Sequence, residues 1–279
     1  MDTTNARWAH PQLPLASVAL CMLLAGCAKQ QPPERERGGA QPAAQDLGQA
    51  EQACRSGDTA QCLVAGEAYM KGEGAEWAAP LYEKACTGGV VRACYALGRL
   101  YFRGQGVTKD IGRARALFEQ ACQGGDAEGC NDLAVMYADG NGITKDLSKG
   151  AELFRAACDA SLPMGCFNLA AQYEQGLGVV RDLAKAAALY GKACDGGHVP
   201  SCFQLAIAHA SGSGVPKSFT RAAPFYRKAC EGGLAAGCHH LAVLYESGAG
   251  VARDPVRARA LHKKACESGM QSECSEAKE

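Results

Sequence analysis

Fourteen cysteines of this 279-residue chain form seven pairs with the same spacing of eight residues: Cys54/Cys62, Cys86/Cys94, Cys122/Cys130, Cys158/Cys166, Cys194/Cys202, Cys230/Cys238 and Cys266/Cys274. The first members of successive pairs stand 32 residues apart once and 36 apart five times. A fixed period of this length means one supersecondary unit repeated along an elongated array, with the first copy shortened in a loop near Trp77. Such an array has no single central core.

The same period organises the other residues. Leu97, Leu133, Leu169, Leu205 and Leu241 are each followed four later by Tyr101, Tyr137, Tyr173, His209 and Tyr245, the spacing of one helical face. Glycine pairs such as Gly176/Gly178 and Gly212/Gly214 follow and predict a turn. Asp110, Asp146, Asp182 and Asp254 then stand where a second helix needs its N-cap. That helix carries an apolar stripe, Leu117, Phe118 and Ala121 in one copy and Leu153, Phe154 and Ala157 in the next. It ends at a cysteine, usually followed by Gly-Gly, as in Cys230-Glu231-Gly232-Gly233.

On an unbroken helix, cysteines eight apart would lie about 12 Å apart, beyond the ~7 Å that a disulfide can bridge. The glycine turn between them removes this obstacle, so each pair is expected to bridge the end of one helix to the start of the next, linking successive repeats. A nine-residue closed loop contributes about 2.5 kcal/mol in the chain-entropy account. Zinc sites favour ligand spacings of two to four residues and four ligands per ion, so no metal and no other cofactor is expected.

Sixteen cysteines in all point to an oxidising compartment. The N-terminus agrees: Leu13 to Ala25 is apolar apart from small residues and Pro14, too short to span a membrane, and reads as an export signal. Leu24-Ala25-Gly26-Cys27 resembles a bacterial lipobox. That resemblance implies removal of residues 1–26 and a lipid on Cys27. With Ala28 next, it implies an outer-membrane lipoprotein facing the periplasm. Residues 27–46 are rich in Gln, Pro, Ala and Gly with mixed charge, the composition of a disordered tether. Residues 47–279 hold the array, about six full repeats with terminal half-repeats, opened by a lone helix near Leu47 to Arg55.

Lys and Arg together number 29, as do Asp and Glu, and no basic run interrupts this neutrality. That balance argues against a nucleic-acid partner.

The pattern Cys166-Phe167-Asn168-Leu169-Ala170, Tyr173, Gly176, Gly178-Val179, Asp182, Ala186, Leu189-Tyr190 and Lys192-Ala193-Cys194 resembles the Sel1-like repeat family in its cysteine-rich form. The resemblance implies an all-α, right-handed solenoid of TPR-like and Sel1-like αα-hairpins, monomeric, binding a protein or peptide partner along its concave face. It also implies, as the alternative, a weak β-lactamase or a binder of penicillin or peptidoglycan fragments. Ser218 replaces the usual Asp, His209 the usual Tyr, and Pro80 and Pro224 fall inside second helices, where a kink is expected.

The residues themselves offer no catalytic group. A serine β-lactamase needs Ser-x-x-Lys with two further motifs. Only Ser275-Glu276-Ala277-Lys278 fits the first, and the others are absent. His198, His209, His239, His240 and His262 are scattered, and the adjacent pair His239-His240 should diverge by about 100° on a helix. His209 and His262 occupy aromatic positions of the repeat and are expected to fill the edge of the core.

Overall fold

The computed structural model describes residues 42–72, 74–272 and 274. Among them there are thirteen helices and no strands. In chain order these are α1 Pro42–Arg55, α2 Thr59–Met70, α3 Ala75–Thr87, α4 Val91–Arg103, α5 Ile111–Gln123, α6 Ala127–Asp139 and α7 Leu147–Asp159. They continue as α8 Pro163–Gln175, α9 Leu183–Asp195, α10 Val199–Ser211, α11 Phe219–Glu231, α12 Ala235–Ser247 and α13 Pro255–Glu267. Helix α1 begins at Pro42, inside the stretch expected to be a tether; proline suits a first turn, and Ala43 and Ala44 favour helix.

Each helix packs on its sequence neighbours, which makes the array a solenoid. The even-numbered helices from α2 to α12 are the first helices of the repeats; the odd-numbered ones from α3 to α13 are the second. Helices α6 and α8 also touch past α7. Between the two layers lie the Leu column and the aromatic stripe, with Leu133, Leu169, Phe118, Phe154 and Tyr190 all buried. Alanines at zero to three per cent exposure, such as Ala134, Ala170 and Ala186, let the layers close on one another.

The helix ends follow their sequence signals. Asp110, Asp146, Asp182 and Asp254 each accept the backbone N–H three residues on, at 2.9 to 3.0 Å. Ser218 fills the same role through its hydroxyl at 3.3 Å, so this departure keeps the cap. After each second helix the chain turns by a Schellman arrangement, as where Val90 N–H bonds back to Ala85 O at 2.9 Å. In the inter-helix loop Gly178 has φ +71°, and a Cβ there would lie 2.2 Å from the Leu147 carbonyl oxygen. Only glycine meets both demands.

The kinks expected at Pro80 and Pro224 do not break their helices: α3 and α11 are continuous and thirteen residues long, like their neighbours. Both prolines are exposed, so the carbonyl freed by each missing N–H can be satisfied by water. No helix among the described residues is long and apolar enough to cross a membrane.

Candidate functional site: the seams and the first-helix face

The seven cysteine pairs are all bonded. The disulfides are Cys54–Cys62, Cys86–Cys94, Cys122–Cys130, Cys158–Cys166, Cys194–Cys202, Cys230–Cys238 and Cys266–Cys274, with Cα atoms 4.4 to 5.0 Å apart. In the first six, the last turn of one helix is tied to the first turn of the next, so Cys62, Cys94, Cys130, Cys166, Cys202 and Cys238 all sit in the opening turn of a first helix. In the seventh, Cys266 in the last turn of α13 is tied to Cys274, itself helical, which lies past Glu267. Most of the sulfurs lie in the buried layer; Cys62, Cys94, Cys202 and Cys238 are each at most 4% exposed.

A lysine reinforces some of these junctions: Lys192 Nζ donates to Cys158 O at 2.8 Å, and Lys84 Nζ likewise bonds Cys54 O. Each lysine thus reaches from one second helix to the end of a preceding helix, where carbonyls lack intrahelical partners.

The first-helix face offers the groups a ligand could meet. One position after the first-helix cysteines from Cys94 to Cys238 stand Tyr95, Asn131, Phe167, Phe203 and His239; one further on stand Ala96, Asp132, Asn168, Gln204 and His240. The two columns interlock across repeats. Asn168 Nδ2 donates to Asn131 Oδ1 at 2.9 Å, and His240 packs against Phe203 with ring centroids 5.4 Å apart. Burial, and then the Asp132 carboxylate, push the Tyr95 hydroxyl up to about 12. Asp132 is itself raised, chiefly by desolvation.

Beside these columns runs a third, Glu67, Arg99, Val135, Ala171, Ile207 and Val243. Its N-terminal part is charged. Arg99 and Arg103 line two neighbouring cavities of about 250 and 190 Å³, one shared with Asp132 and Asp139 and the other with Glu67. From Val135 onward it is aliphatic, with Val135 and Val243 exposed. The sequence did not single out these columns, because their side chains change from copy to copy; the signal available was that variable positions sat beside an invariant leucine.

The histidines are less scattered than their spacing suggested. His239 and His240, expected to diverge, have ring centroids 5.2 Å apart, and His262 lies 5.8 Å from His239. Side chains about 100° apart on a helix can still lean together when both fill the same inter-repeat space. No metal-binding group of three or more His, Cys, Asp or Glu occurs among the described residues. His262 is buried, as the aromatic position demands, with Nε2 3.0 Å from Glu246 Oε1. Tyr190 makes the corresponding bond to Glu174 at 2.7 Å, two repeats earlier. His209 stacks parallel on Phe225 at 5.8 Å. Cys27, Ser275 and Lys278 lie outside the described residues.

The Sel1 repeat pattern matches residues 91–126, 127–162, 163–198, 199–234 and 235–270, five consecutive copies covering more than half of the sequence. The chain belongs to the Sel1 repeat family. In this frame each repeat supplies two cysteines and the bonds cross the seams, as Cys122 of one copy joins Cys130 of the next.

Among solved Sel1 structures, c5321, a protective antigen of uropathogenic Escherichia coli, is 31% identical with a TM-score of 0.78, covering 83% of this chain and 50% of its own. This chain therefore spans half the length of that antigen. A Sel1 repeat protein from Oxalobacter formigenes is 23% identical, TM-score 0.70, over 74% of this chain and 85% of its own. Cysteine-rich protein B of Helicobacter pylori is 28% identical over 49% of this chain and 98% of its own, with a TM-score of 0.38. No curated protein matches the chain. Sel1 repeat proteins are in general scaffolds for protein–protein interaction.

Proposed function

We propose that this Sel1 repeat protein is a lipid-anchored scaffold of the cell envelope that holds an extended segment of a partner protein along its first-helix face. The observation that carries this reading is the pairing of a polar column, Asp132, Asn168, Gln204 and His240, with an aliphatic one, Val135, Ala171, Ile207 and Val243. Amides can bond a backbone of any sequence, while a neighbouring apolar strip takes alternate side chains. Each repeat advances by about 10 Å, the reach of about three extended residues. Disulfides spare the scaffold from relying on a large core, which suits an oxidising compartment.

Residues 1–26 act as the export signal, Cys27 carries the lipid, and the stretch up to the first helix is the tether to the outer membrane. Incorporation of labelled palmitate by the wild type and its loss in Cys27→Ser tests the anchor. A photo-crosslinking residue at Ala171 should trap a discrete partner in cells, whereas one at Ala188 on the second helix α9 should not. Equal trapping at both positions, or at neither, would overturn the assignment of the face.

A further inference from the structure

The neutral total conceals a segregation of charge along the second helices. Residues 181–195, 217–231 and 253–267, which contain α9, α11 and α13, carry twelve Lys or Arg against five Asp or Glu. The corresponding N-terminal segments 73–87, 109–123 and 145–159 carry seven against eight.

The second-helix face also has grooves where consecutive second helices diverge over a first helix. Two equivalent grooves, four repeats apart, differ in charge. The one between α3 and α5, about 380 Å³, has Leu97 and Leu117 at its base with Glu83, Arg113 and Gln120 around it. The one between α11 and α13, about 440 Å³, has Leu241 and Leu261 in the same places, with Arg227, Arg257 and Lys264 set against Glu231.

Contacts with Tyr245 and Asp254 fix the two arginines of the basic groove. Arg227 Nη2 donates to Tyr245 Oη at 3.3 Å, while Arg257 lies over the Tyr245 ring at 5.8 Å and pairs with Asp254 at 3.1 Å. Hydrogen bonding to Arg257, and then to Arg227, lowers the Tyr245 hydroxyl from its ordinary value. At the lysine position, Lys192 and Lys228 pair with Asp159 and Asp195 at 3.9 and 3.5 Å. Lys264 and Arg227 have no carboxylate partner among the described residues.

We propose that the groove between α11 and α13 is a second docking site, which takes an acidic peptide segment with an aliphatic side chain on Ala260 and Leu261 and carboxylates at Arg227 and Lys264. The apolar part of the groove disfavours a purely polar anion, because covering Ala260 and Leu261 requires carbon. Arg227 on α11 and Lys264 on α13 flank the groove from two successive second helices, matching a segment with two carboxylates rather than a single one. The site lies on the face opposite the one proposed above and does not depend on it.

Fluorescence anisotropy of the oxidised protein with a labelled Glu/Leu peptide tests this, with Lys/Leu and all-Glu peptides of equal length as comparisons. The Glu/Leu peptide should bind one per protein, weaken with salt, and lose about tenfold in affinity in Arg227→Gln/Lys264→Gln. Glu83→Arg/Gln120→Lys, which builds the same charge into the α3/α5 groove, should raise the stoichiometry to two. Equal binding of the all-Glu or Lys/Leu peptide, no effect of the double glutamine variant, or a stoichiometry that stays at one would overturn the proposal. Circular dichroism of each variant separates loss of the site from loss of the fold.

Discussion

Asn168 donates its side-chain amide to the side-chain oxygen of Asn131, 2.9 Å away and one repeat back. Asn131 is buried, and its own amide reaches Asp132 at 3.2 Å. A repeat seam otherwise closed by leucine and alanine thus contains a polar chain whose members must all be paired.

Asn168→Ala should therefore cost about 1 to 3 kcal/mol, because it leaves a buried oxygen of Asn131 without a donor. The urea midpoint of the oxidised protein measures it. A double variant with Asn131→Ala should recover part of the loss; full additivity of the two would show that the pair is not coupled.

Ser161 has φ +66° at the point where other seams place Gly89, Gly125, Gly197 or Gly233. A non-glycine residue in the left-handed region carries about 1 kcal/mol of strain, so Ser161→Gly should stabilise the protein by about that amount. Gly197→Ser should do the reverse, since the space around Gly197 is open and only its backbone objects. If the two changes shift the midpoint in the same direction, the backbone explanation fails.

Removal of the central bridge by Cys158→Ala/Cys166→Ala should cost about 2 to 3 kcal/mol. In a linear array a weakened central seam separates what lies on either side, so thermal unfolding should broaden or split into two transitions. Removing Cys266 and Cys274 at the end should lower the midpoint without splitting, since no helix pair lies beyond that bridge among the described residues. An unchanged single transition after loss of the central pair would contradict a stack held together seam by seam.

Burial lowers His198 and His240 below the ordinary histidine value of 6.5. His198 packs on the Phe167 ring, with its Nδ1 2.7 Å from Ser201 Oγ; His240 lies between Phe203 and Tyr226, with His239 beside it. The unfolded chain binds protons that the folded one resists, so the stability these residues contribute is complete above pH 6.5 and falls on acidification through the window below it. Urea midpoints at about pH 7 and pH 5 should differ in that direction, and His240→Phe should flatten the slope. A slope unaffected by this substitution would place the proton uptake elsewhere.

The repeat frame was legible because it rests on local requirements that recur: a glycine where Gly178 meets the Leu147 carbonyl, a capping Asp182, a cysteine at each helix end. Pro80 and Pro224 stand inside α3 and α11 as the repeat register places them, on faces open to water. The columns of the first-helix face were not legible in the same way. Asp132, Asn168, Gln204 and His240 share no chemistry as a set, and their partnership exists only after the repeats stack. His239 and His262, well separated in sequence, meet through the return of the second helix onto the first. The basic groove was concealed by a neutral total, since the folded array collects Arg227, Arg257 and Lys264 from two helices at one end.

A bridge across every seam also changes what the chain can do under tension. A pull applied along it is carried through each sulfur–sulfur bond and bypasses the turn between the paired cysteines, which stand eight residues apart. Each bond thereby withholds roughly 23 Å of contour. Even with every helix pulled straight, the protein would stop well short of its full length, and only a reductant could release the remainder.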